Sequence, residues 1–365
     1  MKITVQKQEL QEKLSHIQNI VEKKNTMPIL NHFLLSVEEA GAFITATDLE
    51  TAFKEPLTVS VNEPGKMCIP ARKLLEIVRE VESAISLESV DGQWLKVKAG
   101  KSAFRLACLS EKEFPVWPAM EGTDELTIPS VVLREMVEKT LYAAGESDTR
   151  YVLNGLLLHV KPKDTVILVG TDGHRLALSE KKLSSKIKAE NRIIVSRKAI
   201  SELRRFLGDE GDVRIMMGKN HILLNTGNIE FLTRLIEGTY PNYEQVIPAD
   251  NDRNVTVDRG GLIAALRRVS IMSRERSGAI KLDLGAAEMV VSASNPDLGE
   301  ASDEIPIGYS GEAMAIGFNA RYLLDALNAM ESEKVVLRLK EPLSAALLLE
   351  EGREDHRCVV MPMRL

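Results

Sequence analysis

The stretch LTIPSVVLREMVEKTL, residues 126–141, joins a short alternating strand to a helix, and the chain carries this arrangement three times. Within it, Leu133 and Val137 lie four residues apart, as residues on one face of a helix do. The same order occurs in ITVQKQELQEKLSHIQNIV, residues 3–21, and in VTVDRGGLIAALRRV, residues 255–269. Repetition at a nearly fixed interval indicates repeated structural units, so these segments predict three related domains.

Three further landmarks recur in the same order in each repeat. Strands are predicted for ILNHFLLSV (29–37), LNGLLLHV (153–160) and IKLDL (280–284). Turns are predicted for TDLE (47–50), TDGH (171–174) and SNPD (294–297), because Asp and Asn bond to neighbouring backbone groups. Second helices are predicted for PARKLLEIVRE from Pro70, SRKAISELRRFL from Ser196 and NARYLLDALNAM from Asn319. Each repeat is therefore expected to be an α+β unit of two helices packed on β-sheet.

Proline-rich segments separate the repeats. The sequences EFPVWP (113–118) and YPNY (240–243) follow predicted strands, and proline cannot continue the interior of a sheet. The third repeat ends at VVMPMRL, where the others continue into a linker. We therefore predict domains at residues 1–122, 123–250 and 251–365.

Composition limits the function classes. The 365-residue chain has 47 basic and 53 acidic residues and a net charge of −6, which argues against binding nucleic acid by bulk charge. It still permits a local concentration of positive charge. The three cysteines are far apart, so neither a disulfide framework nor a zinc site is indicated. No stretch reaches the roughly 18 apolar residues of a membrane helix, and we expect a cytoplasmic protein.

Four motifs together resemble a known family. TDGHRLA (171–177), YVLNG (151–155), PARK (70–73) and the terminal VVMPMRL are similar to the bacterial DNA polymerase III beta clamp, and the resemblance covers the whole chain. It implies three domains of the DNA clamp fold, with two subunits closing head to tail into a ring around double-stranded DNA. The implied role is that of a processivity factor, with no catalytic residue, cofactor or metal.

The resemblance also implies partners. They are the DNA polymerase III alpha subunit, the clamp loader complex, other proteins with a clamp-binding motif, and a second copy of the chain in a homodimer. Partner peptides would bind between the second and third domains, in a pocket formed by Leu153, Thr171, Gly173, His174, Arg175, Leu176, Pro241, Val246, Tyr322, Leu343, Ala345, Val359, Val360, Met361, Pro362 and Met363. The flexible, polarizable methionines suit a groove that accepts several peptides. The alternative is that VVMPM is a core strand and His174 an ordinary turn residue.

For DNA, the resemblance points to the loop residues Lys24, Arg150, Tyr151 and Lys198, with Val152 where relatives often have a second aromatic. Further basic residues are expected on the helices and loops of the channel: Lys7, Lys13, Lys73, Arg79, Arg134, Lys139, Arg197, Arg204, Arg205, Arg267 and Arg268. These side chains would meet phosphates, which carry no sequence information. The alternative is that they belong to ordinary solvated helix faces, since acidic residues lie among them.

For the dimer contact, the resemblance places Lys73 and Phe104 of the first domain against Ile271, Met272 and Asp297 of the third. An apolar centre surrounded by opposite charges is typical of a specific interface. The alternative is that Phe104 and Ile271 are buried within their own domains.

Two other function classes compete with a clamp. A hydrolase could use Asp172 and His174 as acid and base. The equivalent turns of the other repeats lack histidine, and the chain has no glycine-rich phosphate loop or G-x-S-x-G sequence. A protein-binding repeat scaffold that never surrounds DNA is the third class, and it would be indifferent to whether DNA is circular or linear.

Overall fold

The computed structural model describes residues 1–21, 27–39, 41–120, 124–187, 189–273 and 278–364, with the backbone alone for residues 184–187. The chain forms two compact units. The first unit comprises Met1–Ser130 and Arg205–Leu235, and the second unit comprises Val131–Arg204 and Ile236–Leu365.

The helices of the described residues are α1 (Lys7–Ile17), α2 (Ala71–Glu80), α3 (Ser130–Thr140), α4 (Arg197–Leu203), α5 (Tyr243–Val246), α6 (Arg259–Ser270) and α7 (Ala320–Asn328). All except α5 are the predicted pairs. Their apolar stripes are buried, as in α1, where Leu10, Leu14 and Ile17 face the core. Helix α3 ends one residue before Leu141, which the pattern included in the helix and which instead begins a 3-10 turn.

The strands follow the helices in each repeat. The first repeat contains β1 (Lys2–Val5), β2 (His32–Glu38), β3 (Gly41–Thr47), β4 (Thr51–Leu57), β5 (Val59–Glu63), β6 (Gly65–Pro70), β7 (Ile85–Val90), β8 (Trp94–Ala99) and β9 (Ser102–Ala107). The second contains β10 (Asp124–Pro129), β11 (Gly155–Lys161), β12 (Lys163–Thr171), β13 (Arg175–Ile187), β14 (Asn191–Ser196), β15 (Asp212–Met217), β16 (His221–Thr226) and β17 (Ile229–Arg234). The third contains β18 (Arg253–Asp258), β19 (Ala279–Leu284), β20 (Glu288–Asn295), β21 (Gly299–Gly308), β22 (Met314–Asn319), β23 (Lys334–Leu339), β24 (Ala346–Glu350) and β25 (His356–Val360).

Two predicted strands begin later than the pattern indicated. Pro28–Asn31 and Tyr151–Leu153 are 3-10 turns, so β2 begins at His32 and β11 at Gly155. Pro28 favours this outcome because its fixed φ suits the first position of a helical turn, where no N–H donor is needed.

The first unit contains two antiparallel sheets. One has the strand order β5-β1-β7-β8-β9, and the other has the order β10-β15-β16-β17-β4-β3-β2-β6. In the second sheet β17, from the second repeat, pairs with β4, from the first, and Phe231 lies opposite Phe53. The sheet therefore continues from one repeat into the next.

The second unit repeats this device. Its 12-stranded sheet has the order β14-β11-β12-β13-β25-β24-β23-β18-β21-β20-β19-β22. Strand β25 of the third repeat pairs with β13 of the second, and Leu176 lies opposite Val359. Pairing of edge strands between repeats leaves fewer unpaired backbone groups at sheet edges.

The sheets explain why the compact units do not coincide with the repeats. Strands β15–β17 of the second repeat belong to the first unit, whereas β11–β14 belong to the second unit. The division at residues 1–122, 123–250 and 251–365 stays a prediction, since it follows the sequence repeat and not the distribution of contacts.

A cluster of buried charges lies in the second unit, where α3 meets β24 and β25. Lys139 and Glu350 are 2% and 1% exposed, and their Nζ and Oε1 atoms lie 3.5 Å apart. Glu350 also accepts hydrogen bonds from the backbone N–H groups of Glu331 and Ser332. Nδ1 of the fully buried His356 lies 3.7 Å from Glu350 Oε1. Buried ions need such partners, because an unpaired charge in a core is strongly destabilising.

The three cysteines are free thiols buried in the cores. Burial raises the pKa of Cys68 and of Cys108 to about 12, so both stay protonated at neutral pH. Among the described helices, none is both long enough and apolar enough to span a membrane.

Candidate functional site

The turn between β12 and β13 organises a groove in the second unit. Thr171 Oγ1 donates to the carbonyl of Arg175 over 2.6 Å and accepts from the N–H of Gly173 over 3.1 Å. Asp172 Oδ1 accepts from the N–H groups of His174 and Arg175. Gly173 has a φ of 85°, and a Cβ there would lie 2.8 Å from the guanidinium of Arg150. Glycine adopts this conformation without strain, whereas another residue would be strained there and would displace the guanidinium of Arg150.

The pairing of β13 with β25 brings the distant segments of the groove together. Leu176 and Val359 lie opposite each other and share a buried cluster with Tyr240 and Tyr243. The resulting groove has a volume of about 150 Å³, and we call it the second-unit groove. It is lined by Arg150, Leu153, Thr171, Gly173, Arg175, Leu176, Pro241, Tyr243, Val246, Val359 and Met361.

Nine of these residues were predicted for the peptide pocket, and two were not. Arg150 was predicted as a DNA contact, and its guanidinium forms ion pairs with Asp148. Tyr243 was missed, although the linker sequence YPNY, 240–243, placed a second aromatic beside Pro241. The Tyr243 hydroxyl lies 2.7 Å from His159 Nδ1, which fixes its ring in the groove wall.

Arg175 lies at the centre of the site. Its guanidinium donates to Asp172 over 3.0 Å, to Asp325 over 2.5 Å and to the carbonyl of Tyr142 over 2.7 Å. It also lies over the Tyr322 ring, 4.6 Å from the centroid. Burial disfavours its charge, but the hydrogen bonds to Asp325 and Asp172 outweigh burial and raise the pKa of Arg175. The side chain therefore remains a cation and ties the turn to α7.

His174 and Tyr322 are not on the lining of the second-unit groove. They line an adjacent polar cavity of about 520 Å³, which shares Arg175 with the groove. Their rings are stacked with centroids 6.4 Å apart and an interplanar angle of 16°. The structure thus divides the predicted pocket into an apolar groove and a polar cavity beside it.

The remaining predicted pocket residues separate further. Leu343 is 65% exposed, and Ala345 packs against the buried cluster that contains Leu176. Val360 was predicted to line the pocket, but it is 1% exposed and belongs to the core of the third repeat. It follows Val359 in a strand, and successive strand residues face opposite sides of the sheet.

The terminal segment crosses the third repeat. The N–H of Met361 donates to the carbonyl of His174, and the N–H of Met363 donates to the carbonyl of Gly317. Met361 lines the second-unit groove, whereas Met363 lines a different cavity of about 720 Å³. Pro362 lies between them, half-buried, and lines neither cavity.

The hydrolase alternative receives no support from this geometry. The carboxylate of Asp172 accepts from two backbone N–H groups and from the Arg175 guanidinium, so it stabilises the turn and does not orient His174. Among the residues that the structure describes, no group of three or more His, Cys, Asp or Glu side chains could hold a metal ion.

The predicted DNA-contacting residues differ in position. Tyr151 is 78% exposed, and Lys198 is exposed near the start of α4. Lys24 lies outside the described residues. Among the wider set of basic residues, Lys139 was expected to reach phosphates, but its side chain is 3% exposed and pairs with Glu135 and Glu350. This expectation was wrong because a tertiary partner draws Lys139 into the core.

The predicted dimer residues are accessible. Ile271 is 74% exposed and Phe104 is 36% exposed, so the alternative that both are buried in their own domains is wrong. Met272 is half-buried and Asp297 is exposed. Lys73 is exposed and forms an ion pair with Glu76, one turn further along α2.

Comparison with known proteins covers the whole chain. Residues 1–118, 127–242 and 244–364 match the N-terminal, central and C-terminal domains of the DNA polymerase III beta subunit. The beta sliding clamp of Pseudomonas putida is 40% identical over 375 residues, which is 100% of each chain.

Solved structures agree with the sequence matches. The DNA polymerase III subunit beta from Pseudomonas aeruginosa has a TM-score of 0.96 at 36% identity, with 100% of each chain covered. The sliding clamp from Bartonella birtlesii, solved bound to griselimycin, has a TM-score of 0.95 at 33% identity, again with 100% of each chain covered.

Proposed function

Since the chain belongs to the DNA polymerase III beta subunit family, the beta sliding clamps, we propose that two copies close into a ring whose second-unit grooves hold partner peptides. The family is the non-catalytic processivity factor of the DNA polymerase III holoenzyme. A ring holds DNA by topology, so it needs no site of high affinity. This is compatible with the net charge of −6.

Two free strand edges support closure into a homodimer. Within the described residues, β9 pairs only with β8, and residues 299–305 of β21 pair only with β20. Strand β21 follows the third-repeat turn in the same way that β4 and β13 follow theirs. Because β4 and β13 each accept the last strand of another repeat, β21 is expected to accept β9 of a second copy.

The internal junctions also suggest a register for this pairing. The first residues of the three turns, Thr47, Thr171 and Ser294, pair with Ala52, Leu176 and Glu300. The residues just before these partners are therefore equivalent, namely Thr51, Arg175 and Gly299, and the first two lie opposite Thr233 and Val360. Leu106 is equivalent to Thr233, because each is the fourth residue after the first paired residue of its strand, Ser102 in β9 and Ile229 in β17. Gly299 of one copy would therefore lie opposite Leu106 of the other, with Leu298 next to this contact at the start of β21. Leu298 is 64% exposed in the single chain, as expected of an apolar side chain that becomes buried when a second copy binds.

The second-unit groove supports peptide capture. Its walls are Leu153, Leu176, Val359 and Met361, while the ion-paired guanidiniums of Arg150 and Arg175 provide hydrogen-bond donors at the same place. Such a groove suits a short peptide with bulky apolar side chains. We assign it to the DNA polymerase III alpha subunit, the clamp loader and other proteins with a clamp-binding motif.

Double-stranded DNA would be contacted weakly and without sequence preference. Arg150, Tyr151 and Lys198 are exposed and can reach phosphates, directly or through water. Weak contacts leave a ring free to move along the duplex. The protein would act in the cytoplasm, where the replicating chromosome of a bacterium lies.

The decisive experiment separates topology from affinity. The protein is loaded on nicked circular DNA by a clamp loader, the DNA is linearised in half of the sample, and retention is measured by gel filtration in high salt. We expect retention on circles and loss from linear DNA. Loss from both at high salt would contradict a topological ring and would favour the scaffold alternative, which is indifferent to whether the DNA is circular or linear.

A further inference from the structure

A second apolar groove lies in the first unit, where β17 pairs with β4. We call it the first-unit groove. Its volume is about 280 Å³, compared with about 150 Å³ for the second-unit groove. Ala52 and Leu232, which lie opposite each other in the sheet, form part of its wall. The linker residues 114–118 form another part.

The turn at this groove is built as the turn at the second-unit groove is built. Thr47 Oγ1 donates to the carbonyl of Thr51 over 2.8 Å and accepts from the N–H of Leu49 over 3.0 Å. Asp48 Oδ1 accepts from the N–H groups of Glu50 and Thr51. These are the bonds that Thr171 and Asp172 make in their own turn. The two grooves therefore occupy equivalent places in the repeat.

Leu49 is the residue that distinguishes this turn. Its φ is 75°, close to the 85° of Gly173 at the equivalent position. Leucine rarely adopts this conformation, because its Cβ is crowded there. Yet the side chain is 52% exposed and lines the groove, so burial in the core does not account for it. A residue with a strained backbone and an exposed apolar side chain at the mouth of a groove indicates a binding role, since backbone strain is common at ligand-binding sites.

The opposite wall also presents apolar surface to solvent. Val116 is 90% exposed, and the neighbouring Trp117 is half-buried against Ala52, Leu223 and Leu232. Aromatic and aliphatic side chains on both sides of an open groove are the usual lining of a peptide-binding cleft. The groove has the space and the apolar surface for two bulky side chains.

The charges of the two grooves differ. In the first-unit groove the charged lining residues are Glu50, Glu230 and Lys54, and Lys54 pairs with Glu230 over 3.3 Å. The lining therefore carries one negative charge beyond that pair. In the second-unit groove the charged lining residues are Arg150 and Arg175, and both are compensated by ion pairs, Arg150 with Asp148 and Arg175 with Asp172 and Asp325. A ligand with positive charge would thus prefer the first-unit groove.

We propose that the first-unit groove is a second docking site, which takes a short extended segment of a partner protein with two bulky apolar side chains beside a lysine or arginine. The segment would lie between Leu49 and the linker, with its basic residue near Glu50. This assignment is based on the negative charge and the apolar lining of the first-unit groove, so it does not depend on what the second-unit groove binds.

Trp117 provides a local probe of occupancy. The chain has only two tryptophans, Trp94 and Trp117, so a Trp94→Phe variant reports on the groove alone. It is titrated with two blocked tetrapeptides, Lys-Leu-Phe-Lys and Glu-Leu-Phe-Glu, while Trp117 emission is recorded. We expect a saturable change with the basic peptide and an affinity lower by about twofold to fivefold with the acidic peptide, as is typical of one exposed ion pair.

Two variants in the Trp94→Phe background test the assigned residues. Leu49→Gly relieves the backbone strain and removes the apolar side chain. It should therefore raise thermal stability slightly, while it weakens binding of the basic peptide by about fivefold. Asp91→Gly is the matched control, because Asp91 also has positive φ, at 52°, and does not line the groove. Glu50→Lys should reverse the preference between the two peptides.

Three results would overturn the proposal. One is that neither peptide changes Trp117 emission at millimolar concentration. Another is that both peptides bind equally and Glu50→Lys leaves their affinities unchanged. The third is that Leu49→Gly and Asp91→Gly affect peptide binding to the same extent. None of these results bears on retention of the ring on circular DNA, so the proposed clamp function is tested separately.

Discussion

Arg175 donates a hydrogen bond from Nη1 to Oδ2 of Asp325 over 2.5 Å, and this pair ties the turn of the second repeat to α7 of the third. Asp325 lines the polar cavity but not the second-unit groove, whereas Arg175 lines both. Asp325 is thus a positioning residue for a side chain that a bound peptide would meet.

The first prediction follows from this pair. Asp325→Asn keeps the size of the side chain but removes its charge, so it should destabilise the chain by about 1–2 kcal/mol. It should also weaken the binding of a fluorescent peptide with adjacent Leu and Phe side chains by about threefold to tenfold, since Arg175 loses one of the two carboxylates that hold it in place. Fluorescence anisotropy measures the affinity and urea unfolding the stability. The control is Glu125→Gln. Glu125 forms an exposed ion pair with Arg214, and neither residue lines the second-unit groove. Equal peptide affinity in the two variants would contradict the positioning role.

The second prediction concerns the two ends of the buried ion pair. Glu350→Gln leaves Lys139 and His356 facing each other without their shared carboxylate, and we expect a loss of about 3 kcal/mol. Lys139→Met should cost less, about 1–2 kcal/mol, because Glu350 retains His356 and the donors of Ser332. Urea unfolding measures both. The exposed pair Lys340 and Asp250 provides the control, and Lys340→Met should leave the urea midpoint almost unchanged, because solvent screens this ion pair.

The third prediction concerns pH. Burial disfavours the charged form of His356, but the sulfur of Cys358 and the carboxylate of Glu350 outweigh burial and raise the pKa of His356 to about 9. In the unfolded chain it is about 6.5. The stabilisation from the charged ring is therefore complete below pH 6.5 and is lost as pH rises through 9, a loss of roughly 3 kcal/mol.

The measurement compares urea midpoints at pH 6 and pH 9.5 for the natural chain and His356→Gln. Other groups near the ring, namely Lys139, Tyr142, Glu350 and Cys358, are present in both proteins, so the difference between the two pH profiles belongs to His356. A fall in stability of the same size in both proteins would exclude His356 as its source.

The fourth prediction tests the proposed register of the dimer. Leu298→Asp places a charge where an apolar side chain would be buried, at a cost of about 2 kcal/mol or more per contact. A head-to-tail ring contains the contact twice, so the dimer dissociation constant should rise by about three orders of magnitude. Sedimentation equilibrium measures it. Val116→Asp is the control, since Val116 is 90% exposed and lies on neither free edge. An unchanged dimer in Leu298→Asp would refute the register.

The sequence by itself determined the repeated elements and the turns between them. Apolar residues four apart, as at Leu133 and Val137, are a local property of a helix, and all six predicted helices form. The side chains of Thr171 and Asp172 form hydrogen bonds to backbone groups within four residues, so this turn could be predicted from the local sequence alone. The family could likewise be identified from short motifs, because these are local in the chain.

Only the tertiary structure decided which distant residues meet. The pairing of Leu176 with Val359 forms the second-unit groove. Val360, the next residue of the same strand, faces the opposite side of the sheet and is buried in the core of the third repeat. Lys139 lies on a helix with other charged residues, yet Glu350, far away in sequence, makes its burial possible. Such contacts depend on strand register and on partners that are far apart in the sequence. A periodicity read along the chain carries no information about either, because it describes only the neighbours that the backbone already joins.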